Sequence, residues 1–138
     1  MFEHCLYFNT ATLARLLERE WTKAFKPFGL TPAQAFMLRV VLEKPPISLT
    51  ALAAELNIAK ATCSRTADGL EGMGLIQRHQ ADKDGRGQDI VPTAKAKAIK
   101  ERLNQAAGEV TKRIKRGIGV EVFEETVARL RAIGQSIG

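Results

Sequence analysis

The sequence predicts a mainly α-helical domain carrying one small β-hairpin, an α+β chain of 138 residues. Three observations predict it. Apolar residues recur at helical spacing over most of the length. Two short helices are separated by only a few residues near the middle. A polar, glycine-bearing stretch at 81–87 then joins two short β-like runs. With 45% apolar and 26% charged residues, the composition is that of a globular protein rather than a disordered one. The length suits one domain of ordinary size.

Each element has a local reason. From Cys5 to Lys26, Leu6, Leu13, Leu16, Leu17, Ala24 and Phe25 form an apolar stripe, with Arg15, Glu18, Arg19 and Lys23 between them. Pro27 and Gly29 break this helix. Thr31-Pro32-Ala33-Gln34 is a strong helix start, because Thr31 can cap, Pro32 sits where its missing N–H costs nothing and Gln34 completes a capping box. The second helix runs to about Glu43 and stops at Pro45-Pro46. Ser48 caps a short third helix, Leu49 to Leu56, which Asn57 ends as a left-handed residue. A fourth helix, Lys60 to Met73, is terminated by Gly74. Strands are expected at Leu75–His79 and Asp89–Val91. A long helix starts at Thr93, breaks at Gly117-Ile118-Gly119, and is followed by a last helix from Val120 to Ile137.

Composition excludes several classes. The longest uncharged run, Pro27 to Leu38, is too short to span a bilayer, so no membrane association is expected. Glu3 and His4 stand where a signal peptide carries basic residues, which predicts a cytoplasmic protein. Two cysteines make no disulfide scaffold, and no Cys/His spacing suggests a metal or a cofactor. His4 and His79 are far apart, and there is neither a nucleophile elbow nor a phosphate loop, so an enzyme is not expected.

The net charge is +6, which points loosely to an anionic partner. Its distribution is uneven. Residues 48–92 hold five basic and six acidic groups, whereas residues 93–138 hold ten and five. Lys95, Lys97, Lys100, Arg102, Lys112, Arg113, Lys115 and Arg116 carry the surplus, and Lys95 and Lys97 lie where they could touch a DNA backbone beside the hairpin.

Two short helices followed by a hairpin describe a winged helix-turn-helix. One helix braces another in the DNA major groove while the hairpin tip reaches the neighbouring minor groove. On the fourth helix, Cys63, Ala67 and Leu70 share the inward stripe, which leaves Lys60, Ala61, Ser64, Arg65 and Asp68 outward.

Over nearly its whole length the sequence resembles MarR-family transcriptional regulators. The resemblance is carried by Gly29-Leu30-Thr31-x-x-Gln34, Ala59 to Arg65, Asp68-Gly69-Leu70-Glu71, Gly74-Leu75-Ile76-x-Arg78, and Asp84-Gly85-Arg86 with Thr93 seven residues beyond Arg86. There are departures. Gly85 replaces the first wing arginine, Ala59 replaces a frequent serine cap, Gly69 stands at a position often held by arginine, and Pro92 at one usually held by leucine.

The resemblance implies one MarR-like domain over residues 1–138, with a winged helix-turn-helix at 31–95 and dimerisation helices at 1–30 and 96–138. It implies a homodimeric repressor, bound to double-stranded DNA at an inverted-repeat operator and released by a small aromatic or phenolic effector. Lys60, Ala61, Thr62, Ser64, Arg65, Lys83 and Arg86 are the expected DNA contacts, with Asp84 holding Arg86 by an ion pair. Tyr7, Arg15, Trp21, Phe36 and Arg39 are candidates for an effector pocket, with plain core packing as the alternative for the aromatic residues among them. Two other readings stand beside this one. The weakly acidic middle third suits a protein–protein adaptor without specific DNA binding. Peroxide-sensing relatives carry a reactive cysteine near the start of the first helix, which makes Cys5 a redox candidate, although spacing back from Gly29 puts that position nearer Tyr7. Cys63 reads as a small buried hydrophobe.

Overall fold

Helix caps and breaks set the element order. The computed structural model of the chain describes residues 1–80 and 87–138. Helix α1 spans Leu6–Phe25 and passes into a 3-10 turn, Lys26–Phe28, where Pro27 ends the α-helical bonding and Gly29 reverses the chain at φ +70°. Helix α2 (Pro32–Glu43) starts from the expected capping box. Thr31 Oγ1 accepts from the Gln34 backbone N–H at 3.2 Å, and Gln34 Oε1 accepts from the Thr31 N–H at 3.0 Å. Strand β1 (Ile47–Ser48) leads directly into α3 (Leu49–Leu56), which Ser48 caps and left-handed Asn57 closes. Helix α4 covers Lys60–Gly72, and strands β2 (Ile76–Gln80) and β3 (Gln88–Pro92) follow. Helices α5 (Ala94–Ile118) and α6 (Val120–Ile137) complete the chain.

The sheet is antiparallel, in the order β1-β3-β2, with Arg78 opposite Ile90 and Ile47 opposite Ile90 on the other edge. Strand β1 is an addition to the expected hairpin. Two residues are too few to show an alternating pattern, and their pairing depends on a strand more than forty residues away. The end of α5 falls within the expected break Gly117-Ile118-Gly119. The helix continues through Gly117 and ends only at Gly119, whose φ of +93° no side-chain-bearing residue readily adopts. A single glycine within a long amphipathic helix costs about 1 kcal/mol, too little to break it.

One apolar core joins these elements. Phe25 from α1, Met37, Leu38 and Val41 from α2, Leu52 from α3, Cys63 and Leu70 from α4, Ile76 and Ile90 from the sheet, and Leu103 from α5 are all essentially inaccessible to solvent. Burying a side chain of the larger kind contributes about 1.5–3 kcal/mol, so the core fixes α4 against α2, α3 and β2. The two ends of the chain differ. No residue of α6 is buried, and Leu6, Tyr7, Phe8, Leu13 and Leu16 of α1 remain exposed. Among the described residues no helix is long and apolar enough to cross a membrane.

Candidate nucleic-acid interface

Helix α4, the expected reading helix, packs against α2, α3 and β2. Its inward stripe of Cys63, Ala67 and Leu70 is completely buried, as the helical phase predicts. At its start, Ala59 gives no side-chain cap, so the first-turn N–H groups have no side-chain partner from that position. Lys60, Ala61, Thr62 and Arg65 are exposed there, and Arg65 Nη2 donates to Thr62 Oγ1 at 3.2 Å. Ser64 is half-buried rather than fully outward.

Arg78 of β2 grips the middle of the helix. Its Nη2 donates to the Ser64 carbonyl at 3.3 Å and to Asp68 Oδ1 at 2.5 Å, and its Nε lies 4.0 Å from the Glu71 carboxylate. The side chain is only 13% exposed, and among the described residues its buried Nε has no hydrogen-bond partner. Asp68 is therefore an outward residue whose charge is committed to the strand behind it. In the sequence, Arg78 stands out only as the last residue of Gly74-Leu75-Ile76-x-Arg78. An arginine at an inward-facing strand position, two residues after buried Ile76, was the available signal. Beside it, burial pushes the Cys63 thiol above its ordinary range, with nearby Arg78 pulling in the opposite direction. Its Sγ reaches the Leu49 carbonyl at 3.9 Å, so Cys63 is a packed, protonated hydrophobe.

The far end of α4 closes with a Schellman motif. The Gly74 N–H donates to the Glu71 carbonyl at 2.9 Å and the Leu75 N–H to the Leu70 carbonyl at 3.0 Å, with Gly74 left-handed at φ +73°. The carbonyls beyond are taken by the first residues of α5. Thr93 Oγ1 donates to Gly74 O at 2.7 Å, the Thr93 N–H to Leu75 O at 3.1 Å, and Lys95 Nζ to Met73 O at 2.9 Å. Lys95 thus faces a helix end. Lys97, on the same helix, is exposed.

Gly69 packs against α2. A Cβ at this position would come 3.0 Å from Gln34 Nε2, the amide whose oxygen serves the α2 capping box. The arginine often found there in the resembling family would have to displace that amide.

The predicted wing contacts Lys83, Asp84 and Arg86 lie outside the described residues. The strands that lead to them are in register, with Gln80 opposite Gln88.

The five candidate effector residues do not converge. Trp21 and Phe36 meet at 5.4 Å between ring centroids, Phe25 joins them, and the Arg39 guanidinium lies 5.4 Å from the Phe36 centroid. Arg39 Nε also donates to Asn104 Oδ1 at 2.9 Å, and desolvation holds its pKa below the ordinary value. A groove of about 460 Å³ opens beside Phe36, Arg39, Val40 and Asn104, with Glu43, Lys44 and Glu55 also in its lining; Glu55 pairs with Lys44 and Glu43 with Lys100. Tyr7 instead faces a second groove of about 460 Å³, between the start of α1 and the end of α6, with Leu130, Ile133 and Ile137. Arg15 is exposed on α1 and bonds Thr12. Exposed Cys5 is the N-cap of α1, its Sγ accepting from the Phe8 N–H at 3.5 Å.

Comparison with known proteins agrees with this geometry. Residues 28–87 match the model of the MarR family. The Staphylococcus aureus MepR–DNA complex is 18% identical and superposes with a TM-score of 0.87 over 97% of this chain and 99% of its own. The transcriptional repressor CouR, bound to a 23-mer DNA duplex, is 23% identical, with a TM-score of 0.87 over 96% of this chain and 94% of its own. CouR from Rhodococcus jostii RHA1 bound to p-coumaroyl-CoA is 19% identical, with a TM-score of 0.81 over 96% of this chain and 94% of its own. Residues 28–87 thus match the MarR family model, and the whole chain shares the fold of these winged-helix proteins.

Proposed function

We propose that this protein is a homodimeric, sequence-specific DNA-binding transcriptional repressor that a small-molecule effector releases from its operator. The observation that carries the reading is the state of α4, clamped along its inner face and C-terminal end while Lys60, Ala61, Thr62 and Arg65 stay exposed at its start. A helix held in this way presents its N-terminal side chains to base edges and phosphates as one rigid unit. Its first-turn N–H groups, unmatched by Ala59, add donors for a phosphate oxygen. By the family resemblance, Arg86 is the minor-groove contact, with Lys83 and Asp84 as its supporting residues. The DNA complexes of MepR and CouR support this assignment.

Dimerisation uses the uncovered apolar faces of α1 and α6, where Leu6, Leu130, Ile133 and Ile137 line one groove. The effector site lies at Phe36 and Arg39. Among the described residues this half-buried guanidinium has an amide and a ring as neighbours but no carboxylate partner, and the groove's own carboxylates, Glu43 and Glu55, are paired with Lys100 and Lys44, an arrangement that leaves Arg39 for an aromatic ligand carrying negative charge. The p-coumaroyl-CoA complex of CouR shows that a relative of this fold binds an anionic aromatic conjugate.

Selection of bound duplexes from a random pool by the full-length protein tests the reading. An inverted repeat with half-sites roughly 10 bp apart is expected. Failure to enrich any sequence, with no salt-dependent binding, would point to the adaptor instead. Arg86→Ala should weaken binding to the selected duplex at least tenfold, on the order of 1–3 kcal/mol, with an unchanged circular dichroism spectrum. Undiminished binding in a gel-shift assay would remove Arg86 from the interface.

A further inference from the structure

We infer that Lys95 is a positioning residue for the reading helix, its ammonium acting on the C-terminal end of α4 and not on a DNA phosphate. This rests on the DNA-binding reading above. The long basic helix α5 begins beside the sheet, and its lysines would ordinarily be taken as backbone contacts. Lys95 is directed elsewhere, with its Nζ 2.9 Å from the Met73 carbonyl.

The carbonyls at the end of α4 show what this contact does. The Schellman bonds satisfy Leu70 and Glu71, exposed Gly72 is left to solvent, and the Met73, Gly74 and Leu75 carbonyls take their partners from the start of α5. All three partners come from two residues of one turn, Thr93 and Lys95. Thr93 also caps α5, its Oγ1 accepting from the Ala96 N–H at 3.3 Å, so the end of α4 and the start of α5 share one hydroxyl. The last turn of α4 contains no basic residue of its own. Lys95 supplies the cation that a helix C-terminus favours, from the neighbouring helix.

The two roles for Lys95 have different signatures in binding. A phosphate contact weakens binding to every sequence alike and contributes about one unit to the slope of log affinity against log salt. A positioning residue affects the selected sequence, which needs the helix correctly placed, and leaves the salt slope alone.

The experiment compares Lys95→Met, Lys95→Arg and Lys97→Met in the full-length protein. Two probes are used, the duplex selected by the wild-type protein and a random-sequence duplex of equal length, titrated over a series of salt concentrations. The expected result for Lys95→Met is about fivefold weaker binding to the selected duplex, unchanged binding to the random duplex and an unchanged salt slope. Lys95→Arg, which keeps a donor able to reach the carbonyl, should restore the preference, and Lys97→Met should not reduce it. A slope lowered by about one, with equal losses on both duplexes, would make Lys95 a phosphate contact and overturn the inference. So would a Lys95→Met protein indistinguishable from wild type. If the wild-type protein selects no sequence, the DNA-binding reading itself fails, and this inference with it. Thermal melting of each variant separates misplacement from unfolding, since a folded variant that has lost only its preference is the expected outcome.

Discussion

Helices α4 and α6 are both amphipathic and of comparable length, 13 and 18 residues, yet α4 buries Cys63, Ala67 and Leu70 completely while α6 buries nothing. The inward face of α4 is covered by α2, α3 and β2 of its own chain. The apolar face of α6, with Val127, Leu130, Ile133 and Ile137, is left exposed together with the start of α1. Exposed apolar surface on this scale marks a contact with another molecule, because water is a poor solvent for it. The winged part is thus complete within one chain, whereas the helical ends leave an apolar face uncovered, the face assigned above to the proposed dimer.

Substitutions on α6 should have the largest effect on this contrast. Replacing Leu130 and Ile133 together by Glu should convert a dimer into a monomer by light scattering and weaken binding to the selected duplex about a hundredfold, through loss of bivalent engagement. Its circular dichroism spectrum should remain helical, since neither residue belongs to the core. A double variant that stays dimeric would move the interface elsewhere.

Arg78 probes the winged side. Arg78→Met removes the bonds to Ser64 and Asp68 while keeping much of the stem, and should lower unfolding stability by about 1–2 kcal/mol in urea titration. The exposed position of Asp68 keeps the loss moderate, because water can solvate the abandoned carboxylate. No loss would mean that α4 is held by apolar packing alone.

Cys63 offers a pH test of the same packing. Its folded pKa is raised by burial, so the native state holds the thiol proton more tightly than the unfolded chain does. Its contribution to stability is therefore full below the ordinary thiol value of 9.0 and is lost as pH rises from there towards the folded value. Within that window the wild-type protein should lose up to about 1.4 kcal/mol per pH unit relative to Cys63→Val, read from urea midpoints at pH 7 and pH 10. Parallel behaviour of the two proteins would show that the thiol reaches water.

The smallest effect is expected at Gly69. Glycine in the helix costs about 1 kcal/mol relative to alanine, but a Cβ there meets Gln34 Nε2 at 3.0 Å. Gly69→Ala should therefore gain less than the full 1 kcal/mol in a urea titration. The whole gain would show that the Gln34 amide moves without disturbing its bond to Thr31.

The parts of the molecule readable in the sequence are those whose causes lie within a few residues of one another. The Thr31–Gln34 capping box, the Ser48 cap, left-handed Asn57 and the buried stripe of α4 are of this kind. Strand β1 was not readable, because its partner Ile90 is distant in sequence and two residues carry no period. The break expected at Gly117-Ile118-Gly119 falls at Gly119, the one of the two glycines with a positive φ, and composition alone did not say which of them ends the helix. At the interface, the exposure of Lys60 and Arg65 followed from helical phase. The work of Arg78 and Lys95 did not, since it depends on carbonyls from another element. For the same reason Trp21, Phe36 and Arg39 meet while Tyr7 and Arg15 lie elsewhere, a distinction invisible in a list of aromatic and basic residues.

Helix α1 belongs to both halves. Its last residue, Phe25, is completely buried in the core, and its first turns present the uncovered face that holds Leu6 and Tyr7. A partner that covers the first turns therefore stabilises the whole rod, including the residue that plugs the core. In the proposed dimer, association and folding are linked by mass action, and the melting temperature becomes a property of protein concentration as well as of sequence.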